Sequence, residues 1–325
     1  MKNWLKGILC FLFVACLGAT VHAKTLKLGH VCSKDHSYQV ASDYFAKRIA
    51  AETDGKIKVK VYPNAALGDE DTLVEGLQLG TVHLAVAAPG KLEGFVKELG
   101  IFGLPFLFRS MEHKYKVLDG EIGATMTKII ESRIPVKVLG YWQSGVRHLF
   151  NSKRPVYSPE DLKGIKIRVM PGPVHRAVWK ELGAIPAVVA FPEIYSALKA
   201  GVLDAAENDF ANILQMKFYE SCPYISLTEH TNTVRLFLTS KRLFDSYPTE
   251  IQAKIVRAGK ESTDVNRKED NRQVEEALKI LVDKYGAKVN EVDKGAFVTK
   301  VSKVKEQLAR DIGVLEMVEA IEAVK

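Results

Sequence analysis

Nothing interrupts a helical pattern between Pro248 and about Tyr285, and no other stretch of the sequence constrains the architecture more. Ile251, Ile255, Val256, Val265, Val274, Leu278 and Leu281 supply its apolar positions. At about 1.5 Å of rise per residue, such a helix exceeds the width of one domain. It is placed to brace two packing units, and a chain of 325 residues has room for both.

The chain ahead of the helix supplies two units. From Thr25 the order is a strand (TLKLGHV), a helix with Val40, Tyr44, Phe45 and Ile49 at helical spacing, and an alternating strand (KIKVKVYP) with Ile57, Val59 and Val61 on one face. A turn and helix (LGDEDTLVEGLQLG) and an apolar strand running into Pro89-Gly90 follow. After a helix ending near Ser132 the pattern restarts with strands VKVLGYW and GIKIRVM, helix VHRAVWKELG, strand AIPAVVAF, helix PEIYSALKAG and strand VLDAAEND. Then comes extended chain, ISLTEHTNTVRLFLTS. Strands alternating with helices predict an α/β fold with a mainly parallel sheet. No low-complexity linker separates the units, so several short crossing strands are expected between them. A last helical region carries Val298, Val301, Val304 and Leu308, and the tail from Val314 to Val324 closes the chain.

Residues 1–23 have the form of a secretory signal peptide: Lys2 and Lys6, an apolar run from Ile8 to Leu17, and Val21-His22-Ala23 as a small-x-small cleavage site. Export to the periplasm is the expectation. A competing reading, lipid attachment at Cys16, lacks the usual leucine three positions earlier. Removal of Lys2 and Lys6 takes the formal charge from +7 to +5. That excess, without a Lys/Arg block, argues against nucleic-acid binding and suits anionic small ligands. Cys32 and Cys222 remain after cleavage; an oxidising compartment permits a bridge, but two separate buried thiols are the favoured reading. The protein is expected to act as a monomer.

Chemistry-bearing motifs are missing from the mature sequence: there is no glycine-rich phosphate cradle, HExxH pair, GxSxG elbow or CxxC pair. His30, His36, His83, His113, His148, His175 and His230 show no metal-ligand spacing, so neither metal nor cofactor is expected. What does stand out is polar groups at strand ends, where open α/β sheets bind ligands. His30 follows LKLG, Arg147 follows GYWQSG, Arg168 lies within KIRVM, and Asn208 with Asp209 follows LDAAE. Alternation alone puts Arg168 with Lys166 and Met170 on a solvated face, opposite Ile165, Ile167 and Val169. The Met-Pro-Gly-Pro exit behind it supports the other reading, a planar guanidinium clamping a carboxylate beside a cleft. Arg147 admits the same two readings, and Asn208 is equally suited to closing a turn. Phe102, Trp142, Trp179, Phe191 and Phe210 read by type as core residues.

Four blocks carry a resemblance: FGLPFLFRSMEHKYKVLDG (102–120), NSKRPVYSPEDLKGIKIRVM (151–170), FPEIYSALKAGVLDAAEND (191–209) and the long helix after Tyr247. With them, nearly the whole mature chain resembles the solute-binding proteins of tripartite ATP-independent periplasmic (TRAP) transporters, of the dicarboxylate-binding type. The resemblance implies a two-domain periplasmic-binding-protein-like α/β fold with crossing hinge strands and a domain-spanning helix. It places one domain at 24–144 plus about 233–272 and the other at 145–232 plus about 273–325. It implies that Arg168 pairs with a ligand carboxylate, with Arg147 as second basic contact and Asn208 as polar contact. His30, Glu70 and Phe191 fall where family members line the pocket. Departures from the pattern are Asp209-Phe210, where many relatives have a proline, and Lys91 beside Pro89-Gly90, a candidate ligand contact or a solvated residue. The blocks ISLTEHTNTVRLFLTS and GHVCSKDHSY look most like the sugar-acid branch, which implies a uronate or aldonate, with C4-dicarboxylates and other hydroxy or keto acids next. The implied partners are small and large membrane subunits. A secreted enzyme acting on a small carboxylate, and a binding protein serving a signalling receptor, are the competing functions.

Overall fold

The computed structural model describes residues 24–325; the signal segment and Cys16 lie outside the described residues. Among the described residues, nine strands join in one sheet. They are β1 (Lys24–Gly29), β2 (Ile57–Tyr62), β3 (Leu84–Ala87), β4 (Val136–Asn151), β5 (Lys166–Val169), β6 (Ile185–Val188), β7 (Ala205–Asn208), β8 (Tyr224–Ser240) and β9 (Lys288–Asn290). The helices are α1 (Ser37–Glu52), α2 (Glu70–Leu79), α3 (Met111–Asp119), α4 (Glu121–Arg133), α5 (Pro173–Glu181), α6 (Ile194–Lys199), α7 (Phe210–Gln215), α8 (Lys241–Asp245), α9 (Thr249–Asp283), α10 (Lys294–Asp311) and α11 (Leu315–Ala323).

Strand order is β2-β1-β3-β8-β4-β7-β5-β6, with β9 added to β8. The first three strands are parallel to one another, as are β5, β6 and β7. Between these groups lies an antiparallel ribbon of β4 and β8. β3 runs antiparallel to β8 and ends at the Ala87–Leu236 pair; β7 runs antiparallel to β4 and ends at Asn208–His148. Both groups therefore point their carboxyl ends towards the middle of the ribbon. This is the two-lobed α/β fold implied by the resemblance.

The crossing elements differ from the sequence expectation. Instead of several short strands there are two long ones, of 16 and 17 residues. Arg147 consequently sits inside β4 and not beyond its end. The ladder passes Gly145 because a register shift between Gln143 and Val146 makes a bulge, with Gly145 at φ +57°. A Cβ there would be strained and would stand 2.6 Å from the Cβ of Asp209.

Helix α9 spans 35 residues, about 52 Å at the standard rise, and packs on α1, β4 and α7. The middle of its buried stripe is polar, not apolar: Ser262, Thr263, Asn266, Arg267, Asp270 and Gln273. Val256, read as a core position, is exposed. The bulge explains this, because it leaves β4 amides without ladder partners. Asn266 Oδ1 accepts from the Gln143 amide at 2.8 Å, and Asp270 Oδ2 from the Gly145 amide at 2.7 Å. Gly259 lets the helix lie directly on the strand, since a Cβ there would stand 2.8 Å from the Leu139 carbonyl oxygen. In α1 the buried residues are Ser37, Tyr38, Ala41, Ser42, Phe45 and Ile49, while Val40 and Tyr44 face solvent. Cys32 and Cys222 are buried and unbridged.

Candidate ligand-binding cleft

The carboxyl ends of β1, β3, β5 and β7 meet at a narrow cleft over the ribbon's centre, with a cavity of about 20 Å³. It is lined by Val31, Cys32 and Glu70 from one lobe with Ala88 at the end of β3, and by Met170, Pro171, Phe191, Asn208 and Asn212 from the other. Arg147 of β4, Arg168 of β5 and Arg235 of β8 complete it. Larger grooves exist, such as one of about 490 Å³ between α10 and α11, but Lys305 and Glu322 there pair with each other at 3.2 Å. In the cleft, Arg168 and Arg235 are buried and have no carboxylate partner among the described residues.

Arg168 is 3 % exposed, so the solvated-face reading of IKIRVM does not hold. Short β5 lies between β6 and β7, with α5 packed on it; Lys166 at its start is exposed, but Arg168 near its carboxyl end is covered. Its Nε donates to the Val189 carbonyl at 2.9 Å, which fixes the plane of the guanidinium. Among the described residues no carboxylate pairs with it. Burial, with the like charges of Arg147 and Arg235 and against the attraction of Glu207, pushes its pKa down to about 10, so it stays charged at neutral pH.

Arg147, also buried, is held differently. Its Nε donates to the Glu207 carboxylate, one terminal nitrogen to the Glu207 carbonyl, and the other to Asn208 Oδ1 at 3.0 Å. Burial works against charge on Glu207, yet Arg147 and the His230 imidazole, 3.2 Å away, hold the carboxyl well below the usual range. Asn208 Oδ1 also accepts from the Asp209 amide at 3.0 Å, which leaves the side-chain NH2 for the cleft.

Of the residues singled out in the sequence, Arg168, Arg147, Asn208, Glu70 and Phe191 come together in the lining. His30 and Lys91 do not. His30 is buried, with Nε2 3.1 Å from Gln39 Oε1, and burial pushes its pKa down to about 4. Lys91 pairs with Asp71. Sequence reading missed Arg235, Glu207, His230 and Asn212. Arg235 had the same signal as Arg168, a lone arginine among the apolar residues of TVRLFL. Its Nε donates to the Tyr38 hydroxyl at 2.8 Å. Chemically, the cleft offers guanidinium N–H donors on side chains held in place by their own hydrogen bonds, the requirement for taking a carboxylate out of water.

The two lobes touch at the cleft mouth. A Cβ on Gly90 would stand 2.5 Å from the carbonyl oxygen of Pro171, and backbone there cannot swing aside. Gly90→Ala is expected to hold the lobes apart and weaken ligand binding by about tenfold or more, with the melting temperature of the ligand-free protein unchanged. Calorimetry and thermal melts check this; full affinity in the variant would mean that the close approach is irrelevant to binding.

Two α/β lobes, joined by antiparallel crossing strands and facing each other across an arginine-lined cleft, define a periplasmic-binding-protein type of solute receptor. The chain belongs to the family described as bacterial extracellular solute-binding protein, family 7, which matches residues 28–311, and it is a TRAP-type solute-binding protein. The 2,3-diketo-L-gulonate-binding periplasmic protein YiaO of Escherichia coli is 30 % identical over 317 residues, covering 95 % of each chain. The sugar acid binding protein DctPAm of Advenella mimigardefordensis, in complex with galactonate, superposes with a TM-score of 0.89 at 31 % identity, covering 93 % of this chain and 99 % of that one. A TRAP periplasmic solute-binding protein of Sulfurospirillum deleyianum with bound succinate gives 0.87 at 33 % identity and the same coverage.

Proposed function

We propose that the protein captures a sugar-acid anion, an aldonate or uronate, between its lobes in the periplasm and delivers it to the small and large membrane subunits of a TRAP transporter. The observation that carries this reading is Arg168, buried and charged at the cleft with its terminal nitrogens unpartnered. Arg168 takes the carboxylate; Arg147 and Asn208 flank it; Glu70 and Phe191 line the remainder. The lobes are residues 24–144 with 233–272 and 145–232 with 273–325, and the Gly145 bulge is the natural hinge between them. Ligand binding favours the closed form, which is the state a membrane partner reads. The protein transforms nothing: it binds and releases. A periplasmic location accords with the signal-like residues 1–23 and with the described residues, where no helix is long and apolar enough to cross a membrane.

The names and ligands of the relatives favour sugar acids, from the diketogulonate-binding protein to the galactonate complex. The succinate complex keeps a C4-dicarboxylate as the second reading. A thermal-shift screen of aldonates, uronates, dicarboxylates, keto acids and amino acids separates the two. A ligand at a hundred times its dissociation constant adds about 2.7 kcal/mol of stability, well within detection. Sugar acids are expected to give the largest shifts and to be recovered unaltered after incubation. Stabilisation by succinate and malate alone would select the second reading, and by uncharged sugars alone would refute both.

A further inference from the structure

We propose that Glu70 and Arg235 form a second recognition pole in the cleft, which takes a hydroxyl at the ligand's far end and rejects a second carboxylate. This rests on the sugar-acid reading and specifies the end opposite the carboxylate.

Both side chains line the cleft, and both are 8 % exposed. Glu70 is the first residue of α2, just after the helix cap Asp69, where the helix end favours a carboxylate. Among the described residues its carboxylate accepts no hydrogen bond and enters no ion pair. Arg235 is anchored through Nε to Tyr38, and one terminal nitrogen lies 3.9 Å from the Met170 sulfur. It too has no ion-pair partner among the described residues. Two opposite charges thus share a small cleft, nearly out of water, without pairing with each other. Their remaining hydrogen-bonding atoms are open to the cleft without a protein partner, which fits a ligand group placed between them.

The chemistry of that group follows from the donor and acceptor inventory. An ionised carboxylate only accepts, and a guanidinium only donates. A group that satisfies both must donate to Glu70 and accept from Arg235 at once. A hydroxyl does this. A carboxylate satisfies Arg235 but turns its lone pairs on Glu70, and a methylene satisfies neither.

Charge balance points the same way. Arg147, Arg168 and Arg235 face the carboxylates of Glu70 and of Glu207, the partner of Arg147, which leaves one positive charge. One ligand carboxylate neutralises it. Nearby histidines add no positive charge, because burial keeps His175 and His230 neutral along with His30. A dianion therefore leaves excess negative charge among Val31, Ala88, Met170 and Phe191.

The test is calorimetry of the mature chain with two matched pairs, D-galactonate against galactarate and D-gluconate against glucarate. Within each pair the carbon chain is the same, and a terminal CH2OH replaces a carboxylate. The aldonate that binds is expected to do so at least about tenfold more tightly than its aldarate, the cost of one unsatisfied buried polar group. In Glu70→Gln, whose amide can donate to a carboxylate, the gap is expected to close to within about threefold, with the aldarate gaining affinity. An aldarate that binds the wild-type protein as well as its aldonate, or a gap unmoved by Glu70→Gln, overturns the second pole and leaves the sugar-acid reading intact. Absence of binding by all four acids overturns the second pole; absence of binding by every sugar acid in the thermal screen removes the reading beneath it as well.

Discussion

Arg168→Lys is expected to lower affinity for the bound acid by about a hundredfold, because it keeps the charge but loses the planar fork that donates two parallel hydrogen bonds. It also loses the Nε bond to the Val189 carbonyl that orients the side chain. A lysine of the same charge that preserved affinity in calorimetry would show that the site reads charge alone. Arg168→Met carries the argument further. Arg168 is buried without a carboxylate partner, so its charge is a burden on the ligand-free protein. The methionine variant is expected to abolish binding and to melt higher than the wild type when no ligand is present. A structural arginine gives the opposite sign, since its removal lowers the melting temperature. The two variants therefore distinguish a residue kept for binding from one kept for folding, in a single set of melts and titrations.

The fold was legible where local pattern and packing agree. Strict alternation marked β2, the βα order marked both parallel groups, and the unbroken helical run marked α9 almost to its ends. The crossing ribbon was not legible at its true length. A bulge at Gly145 looks, in sequence, like the end of a strand, because glycine after Gln143-Ser144 signals a turn as readily as an irregular ladder. The polar middle of α9 was hidden for a related reason. Its job is to satisfy β4 backbone groups, and hydrophobic periodicity does not report hydrogen-bond acceptors.

For the cleft, Arg168 and Arg147 were readable as candidates, but alternation favoured the wrong side for Arg168. Period-two reasoning supposes that one sheet face meets solvent along its length, whereas this face of β5 is exposed at Lys166 and buried two residues later at Arg168, where the strand enters the cleft. Arg235 escaped because nothing local in TVRLFL tells which face of a 17-residue crossing strand the arginine takes. Glu207 escaped because its partner Arg147 lies sixty positions earlier, and nothing local marks such a pair.

Glu207→Gln is expected to be the most destabilising single change in the cleft, by about 3–5 kcal/mol, because it strands the charge of Arg147 in a site where both are almost completely buried. Arg147 keeps its bonds to the Glu207 carbonyl and to Asn208, but neither neutralises it. The double variant Arg147→Met/Glu207→Gln removes the orphaned charge, and its melting temperature is expected to recover much of the loss. The pH dependence follows from the direction of the Glu207 shift. Its folded pKa lies below the ordinary 4.5, so its contribution is fully present above that value and is lost as pH falls through the depressed folded pKa. The gap in stability between wild type and Glu207→Gln is thus expected to be flat from pH 5 to 7 and to shrink below about 4.5. Glu93 runs the other way: burial pushes its carboxyl up to about 7, so its contribution is present below 4.5 and lost as pH rises towards 7. Because Glu93 is common to both proteins, it cancels in the comparison, and the acid limb of the gap reports Glu207 alone. A variant with unchanged stability, or a gap that widens in acid, would contradict the ion pair as the element that holds Arg147 in place.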